Sequence, residues 1–137
     1  MRTALALRYE VTTEKVIPEV LLVEHDAAFR SAVTAALRQD GYHVSEASNR
    51  IETLSHLSGP RPLPDLIVVE AHLPVCSGLD LLAELRAHHW ATPVVVLDRH
   101  GTDHVYEEAD RLGATTVVEA PVSVEYLRCV VAAIVEE

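Results

Sequence analysis

The stretch "DLIVVEAHLP", Asp65 to Pro74, decides how the chain folds. Leu66 to Val69 are four consecutive apolar residues, three of them β-branched, with no polar residue between them. A strand exposed on one face alternates apolar and polar, so an unbroken run of this length reads as a strand covered on both faces. Glu70 then sets a carboxylate where the buried run meets a proline-containing loop. Three other runs have the same character: Val20 to Val23, Val94 to Leu97 and Thr115 to Val118. Tyr42 to Ala47 does alternate, as an edge strand does.

Helical segments lie between these runs, and their ends are signposted. Asp26 caps a helix with Phe29, Val33, Ala36 and Leu37 on one face, and Gly41 ends it. Asn49, with Glu52 three residues on, opens a short helix that stops before Gly59 and Pro60. Ser77 or Gly78 opens the third helix. Thr102 is expected to open the fourth, "DHVYEEADRL", which Gly113 closes, and Ser123 opens the last. Five β-α units in succession demand a parallel sheet with helices on both faces and right-handed crossovers. Ligands of such α/β sheets sit at the carboxyl ends of the strands. Glu24, Glu70 and Asp98, each following an apolar run, are therefore expected to meet in one crevice.

At 137 residues and 49% hydrophobic content the chain has room for one sizeable core and no second folded domain. Residues 1–18 are set apart as an N-terminal extension, leaving residues 19–137 as the domain. A net charge of −10, from 11 basic against 21 acidic side chains, argues against direct nucleic-acid binding by this domain. Cys76 and Cys129 form no CxxC pair, and no apolar stretch approaches the length of a membrane span. A cytoplasmic location is expected, with no membrane partner. No nucleophile–base pair or Gly-rich phosphate loop is present, so no enzyme activity is expected.

The segments "LLVEHD", "GYHVSEA", "PDLIVVEAHLPVCSGLDLLAELR", "TPVVVLD", "LGATTVVEAP" and "SVEYL" resemble, in order and spacing, the receiver domain of bacterial response regulators. The resemblance covers roughly residues 19–135. It implies a flavodoxin-like (βα)5 three-layer sandwich with a five-stranded parallel sheet in the order 2-1-3-4-5. It also implies a site that takes phosphate from a histidine kinase onto an Asp ending the third strand. That site uses an acidic pair that helps to bind Mg²⁺, a Ser or Thr ending the fourth strand, and a Lys after the fifth.

At the matching positions this chain has Glu70 for the acceptor, Glu24 and His25 for the acidic pair, Asp98 for the hydroxyl and Ala120 for the lysine. Val117 stands at the aromatic switch position. A glutamate carries its carboxylate about an ångström further out, a misplacement that costs in-line transfer on the order of a hundredfold. Losing the lysine removes a cation from a reaction that depends on charge neutralisation. Arg99, next to Asp98, is the candidate cation for the crevice, as a partner for Glu70 or Glu24.

No cofactor is required on this reading, with weak Mg²⁺ binding through Glu24 and Glu70 as the residual metal expectation. His25 and His72 add ligand types suited to a transition metal, without a recognised spacing. The last helix is apolar nearly all round, and Cys129, Ala132 and Val135 are read as its partner-facing residues. In receivers the fourth helix, fifth strand and fifth helix form the usual dimer or partner surface. The function expected is an atypical receiver that works without phosphorylation, through protein interaction or dimerisation. It would control a C-terminal or partner output domain, such as a DNA-binding transcription regulator. The alternatives are a receiver still phosphorylated on Glu70 by a kinase, and a metal- or ligand-sensing module built on the acidic crevice.

Overall fold

The computed structural model describes residues 16–136. The expected N-terminal extension therefore lies mostly outside the described residues. The elements run β1 (Glu19–Val23), α1 (Ala27–Gln39), β2 (His43–Ala47), α2 (Arg50–Ser58), β3 (Leu66–Glu70), α3 (Gly78–Ala87), β4 (Val94–Asp98), α4 (Val105–Arg111), β5 (Thr116–Glu119) and α5 (Val124–Val135). All pairings in the sheet are parallel, in the order β2-β1-β3-β4-β5. This is the flavodoxin-like architecture that the β-α alternation and the resemblance imply.

The unbroken apolar runs have a simple origin. Alternate residues of one strand point to opposite faces of the sheet, and here both faces are roofed. Leu21, Val23, Ile67, Val69, Val94 and Val96 pack with Leu57, Leu81, Leu82, Leu85, Val105 and Ala109 of α2, α3 and α4. Val20, Leu22, Leu66, Val68, Val95, Leu97 and Val118 pack with Val33, Leu37, Leu127 and Val131 of α1 and α5. β2, at one edge, does not alternate strictly: it buries Val44 and Ala47, three residues apart and on opposite faces, and leaves the residues between them more open.

Capping follows the sequence at four helices. Asp26, Asn49, Ser77 and Ser123 each accept a hydrogen bond from the backbone N–H three residues on. The fourth helix departs from expectation. Its N-cap is His104, in the left-handed region at φ 71° and with no side-chain cap, rather than Thr102. Thr102 is engaged elsewhere: its hydroxyl lies 2.7 Å from His72 Nε2, and its N–H donates to Asp98 Oδ1 at 3.2 Å.

Gly78 is where two elements come closest. A Cβ there would lie 2.1 Å from the carbonyl oxygen of Glu70, so only glycine lets α3 start against the end of β3. Val75, in the same connection, has φ 70° and a fully exposed side chain. At the far end of the sheet Trp90 is half-buried, packs against the α2–α4 core and donates its N–H to the Leu85 carbonyl. No helix among the described residues is long and apolar enough to cross a membrane.

Candidate functional site

The carboxyl edge of the sheet is built by residue parity. Glu24, immediately after β1, and Glu70, which ends β3, fall on the α1/α5 face, two residues beyond Leu22 and Val68. Arg99, two residues beyond Leu97, falls on that face too. Asp98 follows Val94 and Val96 and falls on the opposite face. The three carboxylates therefore do not share one crevice as expected: Glu24 and Glu70 line one cavity, and Asp98 lines another.

The first cavity, of about 280 Å³, is bounded by Glu24, His25, Asp26, Glu70, His72, Arg99 and His100. Glu24 and Glu70 are only 2% and 1% exposed. Glu24 Oε2 accepts from the Asp26 N–H at 3.0 Å. The Arg99 guanidinium reaches into this group, with Nη1 3.6 Å from Glu24 Oε2 and 3.5 Å from Asp26 Oδ2. Its central carbon lies 4.0 Å from the centroid of the Phe29 ring, a cation–π contact that fixes its plane. His25 is exposed at the rim.

Two carboxylate oxygens in this cavity, Glu24 Oε1 and Glu70 Oε2, are buried with no hydrogen-bond partner among the described residues. Glu70 Oε1 has only a long contact, 3.4 Å, from the His72 N–H. Burial pushes the Glu70 carboxyl up to about 7, and the neighbouring Glu24 charge adds to the rise. The His72 and Arg99 backbone N–H groups and the Arg99 charge pull it the other way. Glu24 is raised as well, mainly by burial, against its hydrogen bond from Asp26 and the Arg99 charge. Asp26 is lowered, chiefly by the Phe29 N–H that it accepts as helix cap.

Asp98, 2% exposed, lines the second cavity with Thr102, Glu119 and Ala120 among others. It is paired in register with Glu119 of β5. His72 bridges the two cavities: its Nε2 lies 3.6 Å from Asp98 Oδ1, and its ring stacks edge-on with His100 at 4.9 Å between centroids. Val117 is half-buried against the α2–α4 core.

A divalent ion of the kind receivers use does not fit this donor set. Of the buried carboxylates lining the crevice, Glu24 already has the Arg99 guanidinium at 3.6 Å, and the second position of the acidic pair is the exposed His25. Among the described residues no group of three or more His, Cys, Asp or Glu side chains is arranged to hold a metal. Asp26, Phe29, His100 and Thr102 were not singled out as site residues from sequence. Counting by twos along each strand from its core residues would have separated Asp98 from the other two acids.

The residues read as partner-facing on α5 lie on the flank turned toward α1. Cys129 and Ala132 border a groove with Asp40 and Tyr42, where Arg128 binds Asp40 through two hydrogen bonds of 2.8 and 2.6 Å. Val135 packs toward the α1/α5 core. Tyr126 of α5 is 59% exposed, and α4 offers Tyr106, 55% exposed.

A family model for the response regulator receiver domain matches residues 20–132. The chain is 30% identical over 110 residues to the transcriptional regulatory protein KdpE of Staphylococcus aureus, covering 80% of this chain and 46% of that protein. Chemotaxis response regulator CheY4 of Vibrio cholerae superposes with a TM-score of 0.77 at 24% identity, over 88% of this chain and all of that one. The receiver domain of the sensor histidine kinase PA1611 from Pseudomonas aeruginosa, which has a magnesium ion in its active-site cleft, superposes with a TM-score of 0.75 at 22% identity. It covers 89% of this chain and all of that one. The chain spans less than half the length of the curated relatives it matches. It belongs to the response regulator receiver domain family, the signal-transducing modules of two-component systems.

Proposed function

We propose that this receiver acts without phosphorylation, as an interaction module whose state is set by its partners rather than by a phosphoryl group. The observation that carries the reading is the environment of Glu70. The side chain at the acceptor position is 1% exposed, has a buried oxygen without a partner, and is raised to about 7 by burial. A carboxyl raised to about 7 is only partly ionised at neutral pH, and its protonated fraction has no charge with which to attack. The cation beside it is committed to Glu24 and Asp26, and the position after β5 is Ala120, which offers no charge to an incoming phosphoryl group. These features weigh against the phosphorylated alternative, and the committed cation also weighs against a metal-sensing module.

The surface that suits such a role is the α4–β5–α5 face, where Tyr106 and Tyr126 present exposed rings. Tyrosine supplies contact area at small entropic cost and is enriched where proteins meet. Dimerisation, or docking of an output domain, through this face is the proposed action. Because some relatives are transcriptional regulatory proteins, a DNA-binding output, in the same polypeptide or in a partner, is the proposed target. The test is incubation with acetyl phosphate and Mg²⁺ followed by intact mass spectrometry. No acyl phosphate is expected, and stoichiometric modification of Glu70 would refute the proposal. For the surface, a Tyr106→Ala/Tyr126→Ala double variant should lose self-association in light scattering if the domain dimerises there.

A further inference from the structure

We infer that Arg99 is the resident cation of the crevice, standing where a receiver's divalent ion would be needed, and that it keeps Glu24 and Glu70 from binding Mg²⁺. The inference deepens the proposed function at the same site. It concerns ion binding alone, which can be measured with no phosphodonor present.

Three observations place Arg99 in this role. It lines the same cavity as Glu24 and Glu70, which Asp98 does not. Its Nη1 lies between two acids, 3.6 Å from Glu24 Oε2 and 3.5 Å from Asp26 Oδ2. Phe29 holds the guanidinium by stacking at 4.0 Å. A guanidinium is always charged, is weakly hydrated and stacks well on an aromatic face, so it tolerates this half-buried position. Mg²⁺ is the opposite: it dehydrates reluctantly and demands near-octahedral oxygen geometry. With Arg99 in place, a dication entering the crevice meets a positive charge within a few ångströms of the buried carboxylates.

The unpartnered oxygens show what Arg99 does not use. Glu24 Oε1 and Glu70 Oε2 belong to side chains 2% and 1% exposed and have no hydrogen-bond partner among the described residues. One guanidinium neutralises the Glu24–Asp26 side and leaves these two atoms over. Taking its charge away would leave two buried carboxylates with free lone pairs, the donor type that Mg²⁺ and Mn²⁺ select.

The test is a gain of function. Mg²⁺ and Mn²⁺ are titrated into the wild type, Arg99→Met, Arg99→Lys and Arg99→Met/Glu24→Gln, read by amide chemical shifts and by thermal unfolding with and without ion. Methionine keeps an apolar stem over Phe29, so loss of packing is not confounded with loss of charge. Arg99→Met should bind at least about tenfold more tightly than the wild type, and the ion should raise its melting temperature selectively. Arg99→Lys should resemble the wild type, and the double variant should lose the gained affinity. Equal affinity in the wild type and Arg99→Met, or gained affinity that survives Glu24→Gln, would overturn the inference. An Arg99→Met variant that unfolds with or without ion and is not restored by Glu24→Gln would also do so, since it would assign Arg99 a packing role.

Discussion

Glu70 and Asp98 end neighbouring strands, are equally buried, and live in different surroundings. Asp98 accepts from the Thr102 N–H and lies near His72, so the β4–α4 connection is tied to it. Glu70 has one long contact and an oxygen with none. One residue of parity separates the two arrangements: Asp98 turns to the α2–α4 face, where a loop folds back over it, and Glu70 turns to the α1/α5 face, where its neighbours are another acid and a guanidinium committed elsewhere. At Glu70 burial outweighs the backbone donors of His72 and Arg99, and its carboxyl is raised.

The largest expected effect comes from crowding the backbone under Glu70. Gly78→Ala drives a Cβ to within 2.1 Å of the Glu70 carbonyl oxygen, and relief requires moving either the end of β3 or the start of α3. A loss of about 3 kcal/mol or more, roughly 10 °C in melting temperature, is expected by thermal unfolding. A loss under about 1 kcal/mol would mean that the Glu70 side of the edge is as yielding as an ordinary loop.

The next effect is a pH dependence at Glu70. Glu70 has a folded-state pKa of about 7 against an ordinary 4.5, so between these values the folded protein holds a proton that the unfolded chain has released. Stability therefore falls as pH rises through this window and levels off above it. Glu70→Gln removes the share of the dependence that belongs to Glu70 and leaves that of Glu24, which burial also raises. It should be near neutral at pH 5 and stabilising by on the order of 2 kcal/mol at pH 8, read from urea denaturation at both values. A variant equally destabilised at both would show that Glu70 is stabilised by partners, like Asp98.

Asp98→Ala should cost about 1 to 2 kcal/mol by leaving the Thr102 N–H without its acceptor. Hydrogen exchange should speed up at Thr102 and stay unchanged at Asp26, which belongs to the other cavity. Faster exchange at both would join the two halves into one unit. The smallest effect is expected in the connection leading from Glu70 to Gly78. Val75 holds a β-branched side chain in the left-handed region at φ 70°, and Val75→Gly should raise the denaturation midpoint by an amount equivalent to about 1 kcal/mol.

The layered fold was legible because burial on both faces leaves an unmistakable mark, the four-residue runs from Val20, Leu66 and Val94. The strand order came from the resemblance and not from the runs themselves. The start of α4 was not legible, since His104 caps it through backbone conformation alone and Thr102, the better capping residue by type, is recruited by Asp98 and His72. The substituted positions at the carboxyl edge were readable one by one. Their grouping was not, because it depends on which face each strand end presents. The rotation of α5 also escaped the sequence, since only the long-range contact of Arg128 with Asp40 fixes it.

Trp90, the chain's sole tryptophan, sits before β4 begins, at the pole opposite the carboxyl edge. Its emission will therefore follow loss of the whole fold while staying silent about ions or donors at the crevice. That blindness is useful: a change in fluorescence during a titration signals global unfolding rather than occupancy, giving each of these experiments an internal control without a label.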